Sequence, residues 1–146
     1  MAGASIYPKR SLSVALGQLA MNKGHSGNST TMRVLVVDDY APMADHLAQV
    51  LRAQRHDALA VYSGEEALQV AEEFAPHALI SDIAMPGMNG VELVHAFGEK
   101  FPACRPLLMT ATQLMPELFI GGARVKVLQK PFEPERIFEF LARAAA

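Results

Sequence analysis

Leu79 to Leu93 reads LISDIAMPGMNGVEL. A short apolar run, Ala78 to Ser81, stops on an aspartate, Asp82. A loop of Pro86, Gly87, Asn89 and Gly90 follows, and from Val91 to Lys100 the apolar residues Leu93, Val94 and Phe97 recur at helical spacing. The stretch is a strand, a loop and a helix in succession, with a carboxylate at the carboxyl end of the strand.

Outward from this unit the same pattern repeats. Upstream, RVLVV (33–37) is a continuous branched apolar run, as expected of a strand covered on both faces. A helix follows, with Pro42 suited to its first turn and Met43, Leu47, Val50 and Leu51 on one side. Residues 58–62 make a second strand, and Ser63 with Glu66 has the spacing of a capping box that opens a second helix. Downstream, residues 106–110 form a fourth strand and 125–129 a fifth. Residues 133–145 form a last helix, acidic early and with Arg143 late. A short helix is expected near 116–120. Five such units predict an α/β fold, a flavodoxin-like (βα)5 doubly wound parallel sheet with strand order 2-1-3-4-5.

Residues 1–31 differ in composition: GHSGNSTT (24–31) offers almost nothing to a core, so a flexible N-terminal extension is expected before a domain at 32–146. Lys9-Arg10 ahead of Leu12–Met21 lacks the uninterrupted apolar region and cleavage site of a secretory leader. The 51% hydrophobic and 19% charged content fits a globular protein. A formal charge of −2 gives no footprint for nucleic acid or an anionic membrane. No apolar run approaches the ~20 residues that span a bilayer. The lone Cys104 excludes an internal disulfide framework and points to a reducing, cytoplasmic setting. The five histidines have no metal-ligand spacing and are read as ordinary surface or part-buried residues.

The strand ends carry the chemistry. The first strand runs into Asp38-Asp39, the third into Asp82, the fourth into Thr110 and the fifth into Lys130-Pro131. In an open parallel sheet, sites form in the crevice beyond the carboxyl ends of the strands. Three carboxylates converging there repel unless a cation neutralises them. An all-oxygen donor set suits Mg2+. Singly, each residue has an ordinary reading: the Asp pair as a helix N-cap, Asp82 as turn chemistry, Thr110 as a β-former and Lys130 as a solvated lysine. Their joint placement favours a site.

The segments VLVVDD (34–39), LISDIAMPGMNGVEL (79–93), LLMTA (107–111) and QKPF (129–132) resemble the response-regulator receiver domain of two-component signalling. The resemblance spans roughly Arg33 to Arg143. It implies that Asp82 is a nucleophile that takes a phosphoryl group from phosphohistidine. It implies Mg2+ held by Asp38, Asp39, Asp82 and the backbone carbonyl of Ala84. Thr110 and Lys130 would bind phosphoryl oxygens, and the Lys130–Pro131 bond would be cis. The implied partner is a histidine kinase or histidine-phosphotransfer protein. The chain ends soon after its last helix, so a stand-alone receiver is expected, a monomer or weak dimer signalling by protein–protein contact and not a conventional enzyme.

Three features depart from the family's pattern. Val127 stands three before the lysine, where relatives carry an aromatic switch residue. The span from Thr110 to Lys130 is about two residues short, which makes the fourth helix short or irregular. Ala84 and Thr112, which flank the acceptor pocket, are both small. Two rival readings remain open: an Mg2+-dependent phosphatase with an aspartyl nucleophile, and a receiver-like interaction module that never sees phosphate. Adjacent rather than alternating aspartates and the lack of a cap domain weigh against the first.

Overall fold

The computed structural model describes residues 31–113 and 115–145. The expected N-terminal extension, save Thr31, lies outside these residues. The elements are β1 (Arg33–Val37), α1 (Ala41–Ala53), β2 (Asp57–Val61), α2 (Gly64–Phe74), β3 (Ala78–Asp82) and α3 (Gly90–Lys100). They continue with β4 (Arg105–Thr110), β5 (Glu117–Ile120), β6 (Ala123–Gln129) and α4 (Pro134–Ala145).

The six strands form one sheet in the order β2-β1-β3-β4-β6-β5. Every neighbouring pair is parallel except β5 with β6. The five parallel strands thus take the expected 2-1-3-4-5 order. Alternation along β1 explains why its sequence is apolar throughout. Leu35 and Val37 enter one core with α2 and α3, while Val34 and Val36 enter the other with α1 and α4. All four are fully buried, and each such side chain contributes about 1.5–3 kcal/mol.

The helices begin where side chains can satisfy their first amides. Ser63 Oγ accepts from the Glu66 amide at 3.1 Å, as its spacing predicts. Asn89 and Glu92 form a reciprocal capping box at the start of α3.

The expected helix at 116–120 is not there. Glu117–Ile120 is a strand antiparallel to β6, joined to it by Gly121-Gly122. Both glycines have positive φ, 59° and 81°, which is what a two-residue hairpin turn that follows sheet twist requires. Four residues after a proline are too few to nucleate a helix. As a strand, by contrast, they place Leu118 and Ile120 toward the α3 side of the core.

Candidate functional site

The carboxyl ends of β1, β3, β4 and β6 meet on one edge of the sheet. Asp38 is 1% exposed, Asp82 8% and Thr110 5%. Their backbones are fixed by neighbours: the Ile83 amide donates to the Met109 carbonyl at 2.9 Å, and the Lys130 amide donates to the Thr110 carbonyl at 2.7 Å. The Lys130–Pro131 bond is cis, as expected. Lys130 Nζ then lies 3.0 Å from Asp38 Oδ2 and 3.1 Å from Asp82 Oδ1, forming ion pairs with both.

Asp39 is exposed, yet one of its carboxylate oxygens lies with those of Asp38 and Asp82 in a group spanning no more than 4.8 Å. Three carboxylates facing one ammonium leave negative charge uncompensated, and three oxygens at this spacing fit a hard divalent cation of the Mg2+ type. The ordinary N-cap reading of the Asp pair does not hold. Tyr40 is the N-cap of α1 and has no side-chain cap, while Asp38 Oδ1 accepts from the Tyr40 amide at 3.0 Å.

Burial raises the pKa of Asp82. The hydrogen bond and charge of Lys130 oppose this, the charges of Asp38 and Asp39 reinforce it, and the net shift is upward. For Lys130, burial pulls the pKa down, but the hydrogen bonds and charges of Asp38 and Asp82 outweigh it and the net shift is upward. Lys130 therefore stays an ammonium at neutral pH.

The Thr110 hydroxyl has a partner that the strand pattern did not reveal. It lies 3.0 Å from the Thr112 hydroxyl, and the Thr112 amide donates to it at 3.2 Å. Ala84 is exposed on the loop two residues past Asp82. That loop is braced from α2, where Glu65 Oε1 accepts from the Met88 amide at 3.3 Å. Gly90 lets α3 start directly against β3, since a Cβ there would overlap the Asp82 carbonyl oxygen. The glycine eight residues past Asp82 was the only sequence trace of this contact. Val127 is a packed strand residue, buried with Leu108 and Val125.

The remaining titratable groups do other work. Cys104 is a buried free thiol, pushed up to about 12 by burial. His56 and His77 bind backbone amides, and His46 and His95 are exposed. His25 lies outside the described residues. Among the described residues, no helix is long and apolar enough to cross a membrane.

Comparison with known proteins bears on the family and the fold. Residues 34–142 match the family model of the response regulator receiver domain. The response regulator protein FleR of Pseudomonas aeruginosa is 35% identical over 116 residues, which are 77% of this chain and 24% of FleR. The DNA-binding response regulator MtrA of Mycobacterium tuberculosis is 32% identical over 117 residues, 78% of this chain and 49% of MtrA. The chain thus spans from a quarter to a half of the length of these relatives. The chemotaxis response regulator CheY4 of Vibrio cholerae superposes with a TM-score of 0.68 at 27% identity, over 79% of this chain and 99% of CheY4.

Proposed function

The chain belongs to the family of response regulator receiver domains of two-component systems, and from that premise we propose that it accepts a phosphoryl group on Asp82. The donor is a phosphohistidine of a histidine kinase or histidine-phosphotransfer protein, in the cytoplasm. The observation that carries the reading is Lys130 Nζ seated between Asp38 and Asp82 in the three-carboxylate cluster.

An Asp82 carboxylate oxygen attacks phosphorus, the phosphorus–nitrogen bond of phosphohistidine breaks, and the imidazole leaves and takes up a proton. Asp82 becomes an acyl phosphate. Phosphoryl transfer needs positioning and charge neutralisation more than covalent help. The Lys130 ammonium, now paired with Asp82 Oδ1, passes to a phosphoryl oxygen. The Thr110 hydroxyl exchanges Thr112 for a second one. Asp38, Asp39, Asp82 and the Ala84 carbonyl would hold Mg2+, which when bound would supply further charge neutralisation for the transfer. The chain promotes only its own phosphorylation and hydrolysis, and output passes to a partner protein by contact.

Intact-mass measurement after incubation with Mg2+ and acetyl phosphate tests the reading. One phosphoryl adduct is expected, absent in Asp82→Asn. No adduct, and no amide shift with beryllofluoride, overturns it.

A further inference from the structure

The edge strand β5 is the feature that the acceptor site leaves unexplained. Its register pairs Glu117 with Lys126, Leu118 with Val125, Phe119 with Arg124 and Ile120 with Ala123. One step further on, the Val127 amide donates to the Pro116 carbonyl at 2.8 Å. Backbone polar groups alternate in direction along an antiparallel strand. Pro116 faces β6, so Leu118 and Ile120 face it too, and the N–H and C=O of Glu117 and Phe119 point away from the sheet. β5 is the last strand, so among the described residues no strand meets these groups.

Protein edges are usually protected from pairing by a free charge, a proline or a covering element. Among the described residues the charge carried by this edge strand is Glu117, and it is paired across the ladder, with Arg124 Nε 3.6 Å from Glu117 Oε1. Phe119 is 70% exposed, and the Arg124 guanidinium sits 5.6 Å from its ring centroid. Pro116 precedes the strand and faces inward, so it blocks nothing. α3 covers the face of Leu118 and Ile120 but leaves the edge open.

We propose that β5 pairs antiparallel with β5 of a second copy of this chain, joining two sheets into one across a twofold axis. The pattern is self-complementary when Glu117 lies opposite Phe119 of the second copy. Each such pair exchanges both of its N–H···O bonds, and half-buried Leu118 packs on Leu118 of the second copy. The side-chain row across the junction then runs Arg124, Phe119, Glu117 of the second copy, Lys126 of the second copy. No like charges lie directly opposite each other, and the two Glu117 carboxylates, diagonal neighbours in this register, are each paired with their own Arg124. A register centred on Glu117 sets two carboxylates face to face. One centred on Phe119 draws in Gly121, whose φ of 59° has left strand geometry.

Sedimentation velocity on the full chain from about 10 µM to about 1 mM, with isotope-filtered NOEs between labelled and unlabelled copies, tests the pairing. The expected result is a reversible dimer with Leu118 methyl contacts between copies. Phe119→Pro removes an outward N–H together with the ring and leaves every amide bonded to β6 in place, so it weakens the dimer by about tenfold or more. Phe119→Thr keeps the N–H and still dimerises. A chain monomeric throughout, contacts between copies elsewhere, or a dimer indifferent to Phe119→Pro overturns the proposal.

Discussion

Asp82 is held between opposing forces, burial and two neighbouring carboxylates against one lysine, and the balance leaves its pKa raised. A carboxyl with a folded pKa above its unfolded value of 3.8 supports the fold fully below that unfolded pKa. That support is lost as pH rises through the folded pKa, so ionised Asp82 burdens the fold at neutral pH. Asp82→Asn therefore melts at a higher temperature than wild type in metal-free buffer. The proposed Mg2+ site is assembled only in the folded chain, so the ion is expected to raise the wild-type midpoint and to raise that of Asp82→Asn less. Differential scanning calorimetry with and without Mg2+ reads both effects, and a lower midpoint for the variant contradicts the electrostatic account. Asp38, Asp82, Thr110 and Lys130 were legible in the sequence because each closes an apolar strand run. Thr112 as the partner of the Thr110 hydroxyl was not, because a hydroxyl pair depends on side-chain rotamers that no spacing encodes.

Among the elements, the misread segment is β5, and the reason is local. Pro116 and a shortened span suggested a reduced helix, whereas Gly121-Gly122 between two apolar runs is a hairpin turn. Gly122 has φ 81° with no atom near a would-be Cβ, so Gly122→Ala meets backbone strain alone. It costs about 1 kcal/mol in urea denaturation, and an unchanged midpoint would refute the turn. The entry to β1 gives a second prediction. His56 Nδ1 accepts from the Met32 amide at 3.2 Å, and His77 Nδ1 accepts from the Arg33 amide at 2.9 Å. Both pKa values are lowered: His56 by burial, with Asp57 opposing, and His77 by burial and then by the Arg33 charge. A histidine with a lowered folded pKa contributes fully above its unfolded value of 6.5 and loses that contribution as pH falls. Denaturant stability thus declines as pH drops below about 6.5. His77→Asn, which keeps an acceptor but cannot titrate, shows a shallower decline. The sequence showed five scattered histidines. That two of them clasp successive amides from opposite sides of β1 follows from strand order, which only the folded sheet displays.

At the scale of the whole molecule, two apolar layers share one sheet while Asp38, Asp82, Thr110 and Lys130 stand at its rim. Leu93 of α3 is fully buried in one layer and Ile137 of α4 is 1% exposed in the other. The central strands contribute to both layers, so neither layer can melt alone and unfolding is a single transition. Leu93→Ala and Ile137→Ala each lower stability by about 2–5 kcal/mol without making unfolding biphasic. The continuous strand runs made this two-sided burial legible before any contact was known, since a strand wet on one face would alternate. The site, however, is fixed by backbone bonds among strand ends, such as Lys130 N–H to the Thr110 carbonyl and Ile83 N–H to the Met109 carbonyl. The helices meet it at their first turns, as where the Gly90 amide donates to the Ile83 carbonyl at 2.8 Å, and not through the buried faces that carry Leu93 and Ile137. Phosphoacceptance in both variants should therefore fall only with the fraction unfolded. Measuring the rate of adduct formation with acetyl phosphate alongside the urea midpoint separates the cases. A rate that collapses while the variant is still folded would mean that the buried helix faces also hold Asp82 in register with Lys130.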